Sequence, residues 1–206
     1  NYAAMVSMVD HNVGQVLSLL RELKLEKDTI VFFTGDNGGQ DRFRSPKHPR
    51  GFFGPNVNPK NGAEFRGGKG NLFEGGLRIP YLVRWPGKIK PGQVNDLIFY
   101  QPDVLPTLAE LTGAKAPDDI DGISFLPTLL GQAQTKKHEM LYWEFRGQTA
   151  VRQGLWKAIQ TKPDRPWELY DLSQDISEST NVAAKHLERL AKMKAFAKAS
   201  HAPVRA

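Results

Sequence analysis

Asp36 and Asn37 set a carboxylate beside an amide carbonyl directly after the apolar run Thr29-Ile-Val-Phe-Phe-Thr34. Hard oxygen donors of this kind suit a divalent cation such as Ca²⁺ or Mg²⁺, whereas zinc sites more often include His or Cys. The carboxyl end of a buried strand is also where open parallel α/β sheets bind ligands. The same tetrapeptide, Asp36-Asn-Gly-Gly39, reads equally as a turn, because Asp, Asn and Gly all favour turn positions. A second cluster is Arg66-Gly-Gly-Lys-Gly70, followed by Glu74-Gly-Gly-Leu-Arg-Ile-Pro80. Glycines around Lys69 let the backbone come close to an anion while the ammonium is presented to it. The segment is not a phosphate-binding P-loop, since Gly70 rather than Ser or Thr follows Lys69, and Ala63 stands where the first Gly would be. A plain glycine loop is the alternative, with Glu74 and Arg78, four apart, paired to each other. Asp10-His11 lies in a helical pattern, where the Asp reads as a residue that caps the helix or hydrogen-bonds a neighbour. His48, His138, His186 and His201 read as surface histidines.

The composition narrows the chemistry. With no cysteine in 206 residues, disulfide scaffolds, thiolate zinc sites and a Cys nucleophile are excluded. Hydrophobic residues at 40% and charged residues at 24% are ordinary globular usage, which excludes a wholly disordered chain. The apolar run Ile30-Val-Phe-Phe33 is strand-sized, and nothing approaches the roughly 18 residues of a membrane span. The net charge of +6 is uneven. Residues 40–65 hold Arg42, Arg44, Lys47, Arg50 and Lys60 against Asp41 and Glu64, and residues 184–206 hold six cations against Glu188. The second patch reads as the solvated face of a helix; the first lies in a loop that would tolerate a polyanion.

The elements that must position these residues follow from periodicity. Met5, Val9, Val13, Val16, Leu20 and Leu23 recur at spacings of three and four, predicting an amphipathic helix over residues 4–25. The unalternating run 29–34 predicts a strand covered on both faces, as in a parallel sheet flanked by helices. A long loop with Pro46, Pro49, Pro55 and Pro59 comes next, then a strand at 80–85 and a possible third at 96–100. Helices are predicted at 101–111, with Pro106 demanding a kink or a late start, and at 124–130. After a polar stretch at 132–137, aromatic-rich segments at 139–145, 149–153, 156–160 and 167–172 predict an antiparallel meander. A final helix over 181–200 carries Leu187, Leu190, Met193 and Phe196 on one side. Two domains are expected, 1–133 and 134–206.

Taken in order, Tyr2…Met5…Asp10-His-Asn-Val-Gly14, the strand ending in Gly35-Asp-Asn-Gly38, Arg66-Gly-Gly-Lys-Gly70 and Glu74-Gly-Gly-Leu-Arg-Ile-Pro80 resemble the C-terminal half of the sulfatase family, arylsulfatase-like members of the alkaline phosphatase superfamily. Asp103-Val-Leu-Pro-Thr-Leu108, Asp121-Gly-Ile-Ser-Phe-Leu-Pro127 and Glu168-Leu-Tyr-Asp-Leu172 with Asn181 extend the resemblance over nearly the whole chain. It implies an α/β fold: the C-terminal part of an alkaline-phosphatase-like sulfatase domain, followed by a small antiparallel sheet with a helix. It also implies sulfuric ester hydrolysis, with Asp36 and Asn37 as two ligands of one Ca²⁺ and Lys69 contacting the sulfate oxygens as a catalytic and substrate-binding residue. Asn37 favours the one-calcium site, because two-zinc phosphatase relatives typically place His there.

The family's nucleophile, a formylglycine made from Cys or Ser in a Cys/Ser-x-Pro-x-Arg motif, has no counterpart here, and Ser45-Pro-Lys-His-Pro-Arg50 has its prolines misplaced. The chain therefore reads as a fragment, inactive alone, whose partners would be the N-terminal half of the same polypeptide and a sulfated small molecule or sulfated sugar. No nucleic acid and no membrane span are expected, and the resemblance implies an exported protein, periplasmic, extracellular or lysosomal. A phosphoester or phosphonate hydrolase of the same superfamily, or a non-catalytic structural module, are the alternatives.

Overall fold

The computed structural model describes residues 2–40, 46–47 and 56–202. In chain order the named elements are α1 (Tyr2–Glu22), β1 (Val31–Thr34), α2 (Glu74–Leu77), β2 (Tyr81–Arg84), α3 (Val104–Thr112), α4 (Leu126–Leu129), β3 (Leu141–Phe145), β4 (Gln148–Gln153), β5 (Trp156–Gln160), β6 (Glu168–Asp171) and α5 (Leu187–Ser200). Short 3₁₀ turns precede α3 and α5. The late start expected from Pro106 is met in this way: Gln101–Asp103 forms the 3₁₀ turn and the proline falls in the first turn of α3, where its missing N–H is tolerated. Residues 96–100 form no named strand. The family-level expectation of mixed helix and sheet holds, with two antiparallel sheets among the described residues.

The chain divides into two compact units. Asn1–Thr34 groups with Tyr81–His138, while Gly35–Pro80 groups with Glu139–Ala206. The long loop that follows β1 therefore belongs with the C-terminal meander rather than with the strand that launches it.

In the first unit β1 pairs, among the described residues, with β2 alone, antiparallel, from Val31↔Arg84 to Thr34↔Tyr81. This corrects the parallel, doubly covered strand expected from the apolar run: Phe33 is 42% exposed and Leu82 58%. An unalternating apolar run reports the hydrophobicity of both faces, but not the direction of the neighbouring strand. α1 likewise buries none of its residues, and Met5, Val6 and Met8 are exposed. The packed part of this unit gathers Tyr81, Phe99 and Phe125, with ring centroids 4.7 Å apart for the Tyr81–Phe99 and Phe99–Phe125 pairs. Asp103 organises the polar side. Its carboxylate accepts from Tyr100 N (3.0 Å) and Ile123 N (2.7 Å) and meets His138 Nε2 at 2.7 Å. His138 is thus not a surface residue as expected; its side chain is only 11% exposed, because it satisfies a buried carboxylate.

In the second unit β3 to β6 form a four-stranded antiparallel meander in sequence order. Consecutive strand residues point to opposite faces, and here both faces are buried. Val151, Ala158 and Leu169 pack with Met140, Met193 and Ala197, which brings α5 onto one face. Ala150, Ile159 and Tyr170 pack with Leu72 and Phe73 on the other. The apolar side chains that hold the glycine-rich segment to the sheet therefore come from within four residues of Lys69.

Candidate active site

The glycine-rich segment is shaped from its own backbone outward. Its Glu-Gly-Gly run forms the single turn α2, a helix that two adjacent glycines disguise in the sequence. The turn is wedged between two loops. Gly38 N–H donates to Gly76 O at 2.9 Å, and Gly75 N–H donates to Arg66 O at 2.9 Å. A Cβ at Gly38 would lie 1.8 Å from Gly75 O, and one at Gly75 would lie 2.1 Å from Gly67 O. Both positions need glycine for the approach of backbone to backbone. Lys69 N–H closes the arrangement by donating to Gly39 O at 2.8 Å. Asn56 adds a side-chain bridge, its Nδ2 reaching Gly39 O at 3.2 Å and Gly75 O at 3.0 Å.

The predicted residues take their places on this frame. Asp36 is exposed and Asn37 half-buried in the loop after β1; Lys69 is exposed in the loop ahead of α2. The two loops are joined by the Gly38–Gly76 and Lys69–Gly39 hydrogen bonds. Asn37 Nδ2 donates to Gly38 O at 3.1 Å, which leaves Oδ1 as the atom suited to a cation. With the Asp36 carboxylate this makes two oxygen donors that fit a hard cation, short of the six to eight that calcium takes. No group of three or more His, Cys, Asp or Glu able to hold a metal occurs among the described residues. Of the basic loop, Lys47 and Lys60 are exposed, while Arg42, Arg44, Arg50 and His48 lie outside the described residues. Asp10 and His11 are exposed on α1, and His186 and His201 are exposed near the ends of α5.

Beneath the frame lies an ionic cluster that sequence reasoning found only in part. The expected Glu74–Arg78 pair forms at 2.8 Å, but Glu74 is buried and also meets Arg152 at 3.1 Å and Lys157 at 3.0 Å. Lys157 Nζ, with 0% exposure, contacts Glu178 at 2.9 Å, and Glu178 accepts the Glu74 backbone N–H at 2.6 Å. Burial alone would raise the Glu74 carboxyl; Lys157, Arg152 and Arg78 together outweigh it and hold the group at about 2. Glu178 moves the other way, pushed up by burial that Lys157 and the Glu74 N–H only partly offset. Glu178 also sits at a positive φ of 51°. Its carbonyl accepts from Arg66 at 3.0 Å, and Arg66 further donates to Tyr170 Oη at 2.8 Å while its guanidinium lies 3.9 Å from the Phe73 ring centroid. The one signal for Lys157 was its strand parity, shared with buried Ile159, in the run Trp156-Lys-Ala-Ile-Gln160.

Comparison with known proteins matches this arrangement to a family. The Sulfatase family model matches residues 1–114, and the model for N-sulphoglucosamine sulphohydrolase, C-terminal, matches residues 68–199. The chain is 41% identical to mouse steryl-sulfatase over 170 residues, covering 79% of this chain and 26% of that protein. It is 33% identical over 203 residues to the N-acetylgalactosamine-6-O-sulfatase of Bacteroides thetaiotaomicron, covering 89% of this chain and 38% of that protein. A solved structure described under the metabolism of multiple glycosaminoglycans by Bacteroides thetaiotaomicron superposes with a TM-score of 0.75 at 31% identity, over 93% of this chain and 42% of that one. The chain thus spans 26% to 42% of the length of these relatives, and within that span, from the Asp36-Asn37 loop through the glycine-rich segment to the C-terminal meander, it belongs to the sulfatase family.

Proposed function

We propose that this chain supplies the anion-binding side of a sulfuric ester hydrolase whose substrate is a sulfated sugar. The observation that carries the reading is the stitching of the Asp36–Asn37 loop to the Lys69 loop by the Gly38–Gly76 and Lys69–Gly39 hydrogen bonds. It ties the loop that carries Asp36 and Asn37 to the segment that carries Lys69. Asp36 and Asn37 would hold Ca²⁺, and that ion supplies charge neutralisation of the sulfate oxygens when bound. Lys69 presents its ammonium to the same sulfate, where negative charge grows as the S–O bond breaks. The glycines on either side let the ester approach without steric clash. The nucleophile, a formylglycine, and the remaining metal ligands belong in this reading to the N-terminal half of the polypeptide, which would also cover the apolar face of α1. Among the described residues no helix is long and apolar enough to cross a membrane, and we take the enzyme to be exported. The sulfated-sugar substrate rests on the relative named for N-acetylgalactosamine-6-O-sulfate chemistry and on the glycosaminoglycan context of the solved structure.

The test compares a polypeptide joining this chain to a sulfatase N-terminal half with residues 1–206 alone, each given a sulfated sugar and the matching phosphate ester. Sulfate release by the joined polypeptide only, with the phosphate ester untouched, is the expected result. Preference for the phosphate ester would transfer the site to phosphoryl chemistry. Turnover by residues 1–206 alone would remove the need for a separate nucleophile.

A further inference from the structure

We infer that Lys157, held between Glu74 and Glu178, is a positioning residue that sets the approach of the Lys69 loop to the Asp36–Asn37 loop. The inference rests on the sulfatase reading for its catalytic consequence, but its geometric part stands without it. Both loops hang on α2: Gly38 bonds to Gly76, and Arg66, three residues before Lys69, bonds to Gly75. The near-contacts at Gly38 and Gly75 leave no slack between the three backbones, so a displacement of α2 is passed on to both loops. What fixes α2 to the sheet is polar as well as apolar. Its first residue, Glu74, sends its side chain to Lys157 on β5 and Arg152 on β4, and its backbone N–H to Glu178. Lys157 touches both carboxylates, at 3.0 and 2.9 Å, and is the only cation in the cluster with 0% side-chain exposure among the described residues. Two carboxylates this close to each other would repel without it. Buried charges of this kind are weak evidence for stability, because well-packed apolar side chains do as well; a registering role is their better-attested use. Glu178, in the left-handed region, also holds Arg66 through its carbonyl. The cluster therefore grips the segment at both of its ends, residue 66 and residue 74.

The test uses the enzyme that contains this chain, with Lys157→Met and Glu178→Gln. Methionine fills the lysine stem's volume without the charge; glutamine keeps an acceptor for the Glu74 N–H. Amide hydrogen exchange is followed by mass spectrometry in peptides covering 36–40 and 66–72, and in peptides covering β4 and β5. The expected result is exchange about tenfold faster in the two loops with the sheet unchanged. It is accompanied by a kcat lowered about 100-fold, as for a displacement near 1 Å, and a nearly constant KM for the sulfated sugar. Loop and sheet exchange rising together, or neither rising, overturns the inference and leaves the cluster a stabilising one. If Lys157→Met does not fold, Glu178→Gln decides by the same comparison. A wild-type enzyme that cleaves phosphate rather than sulfate would end the proposed function, while the exchange result would still decide the positioning role.

Discussion

The two units differ in how much of their apolar surface they cover. In the second, Ala150, Val151, Ala158, Ile159 and Leu169 are all at 0% exposure, and a helix lies on one sheet face with the glycine-rich segment on the other. In the first, α1 has no buried residue and β1 and β2 leave Phe33 and Leu82 open. Burial of an apolar side chain contributes about 1.5–3 kcal/mol, so the second unit draws on its own packing while α1 draws on almost none. The residues proposed for chemistry, Asp36, Asn37 and Lys69, all fall in the unit with the complete core.

Glu74→Gln is expected to have the largest effect, because it strikes that core. Removing one partner of a buried ion pair costs about 3–5 kcal/mol, and calorimetry should show a lowered unfolding midpoint for the second unit alone. The pH dependence has a defined sign. The Glu74 carboxyl is held at about 2 against a usual 4.5, so its contribution is complete above about 4.5 and is lost as pH falls toward 2; by linkage it is worth roughly 3 kcal/mol. Glu178 opposes it: its pKa is raised, so its ionised form costs stability at neutral pH and that cost is relieved on acidification. The variant should therefore lose stability at pH 7 and show a shallower decline below pH 4.5.

Next comes Lys69→Ala in the complete enzyme, expected to raise the barrier by about 2–4 kcal/mol, as deletion of a transition-state charge partner does. Lys60→Ala, an exposed cation of the basic loop, should change kcat by a factor corresponding to at most about 1 kcal/mol. Measuring kcat beside the thermal midpoint checks both; an unchanged kcat with a lowered midpoint for Lys69→Ala would make this lysine structural.

Asp103→Ala probes the packed part of the first unit. Two backbone donors and His138 would lose their acceptor, at about 1–3 kcal/mol in urea-unfolding free energy. The smallest effect is expected for Met5→Ser in residues 1–206. At 66% exposure it should change unfolding free energy by about 0.5 kcal/mol or less. A larger loss would show that α1 is packed in solution and would erase the contrast between the units.

Local patterns carried much of this architecture. The meander was legible because turn residues punctuate segments of strand length, as at Arg146-Gly147 and Gly154-Leu155 between β3, β4 and β5. The face of α5 was legible in part: Leu190, Met193 and Phe196 recur at helical spacing and pack against the sheet, whereas Leu187, expected beside them, is 67% exposed. The partner of β1 was not legible, since strand direction is set by tertiary pairing. The attachment of residues 66–77 to the meander was not legible for a related reason: it runs through Glu74 to Lys157, 83 residues away. The chemistry-bearing residues Asp36, Asn37 and Lys69 stood out by type and by their glycines, whereas the cluster beneath them is made of side chains that individually resemble surface charges. His138 was misread in the same way, for its partner Asp103 is 35 residues off.

The distance from Glu74 to Glu178, 104 residues, also has a meaning in time. A ribosome adds about 5–20 residues per second, so the glycine-rich segment leaves it roughly 5–20 seconds before its last anchor is made. For most of that interval the four-stranded sheet is incomplete, and Leu72 and Phe73, which pack with Ala150, Ile159 and Tyr170, are open to solvent or to a chaperone. Final assembly of the anion-binding frame must await synthesis of the C-terminal meander, so a chain stalled or truncated after β5 would retain Asp36, Asn37 and Lys69 in sequence but lack the Glu178 anchor.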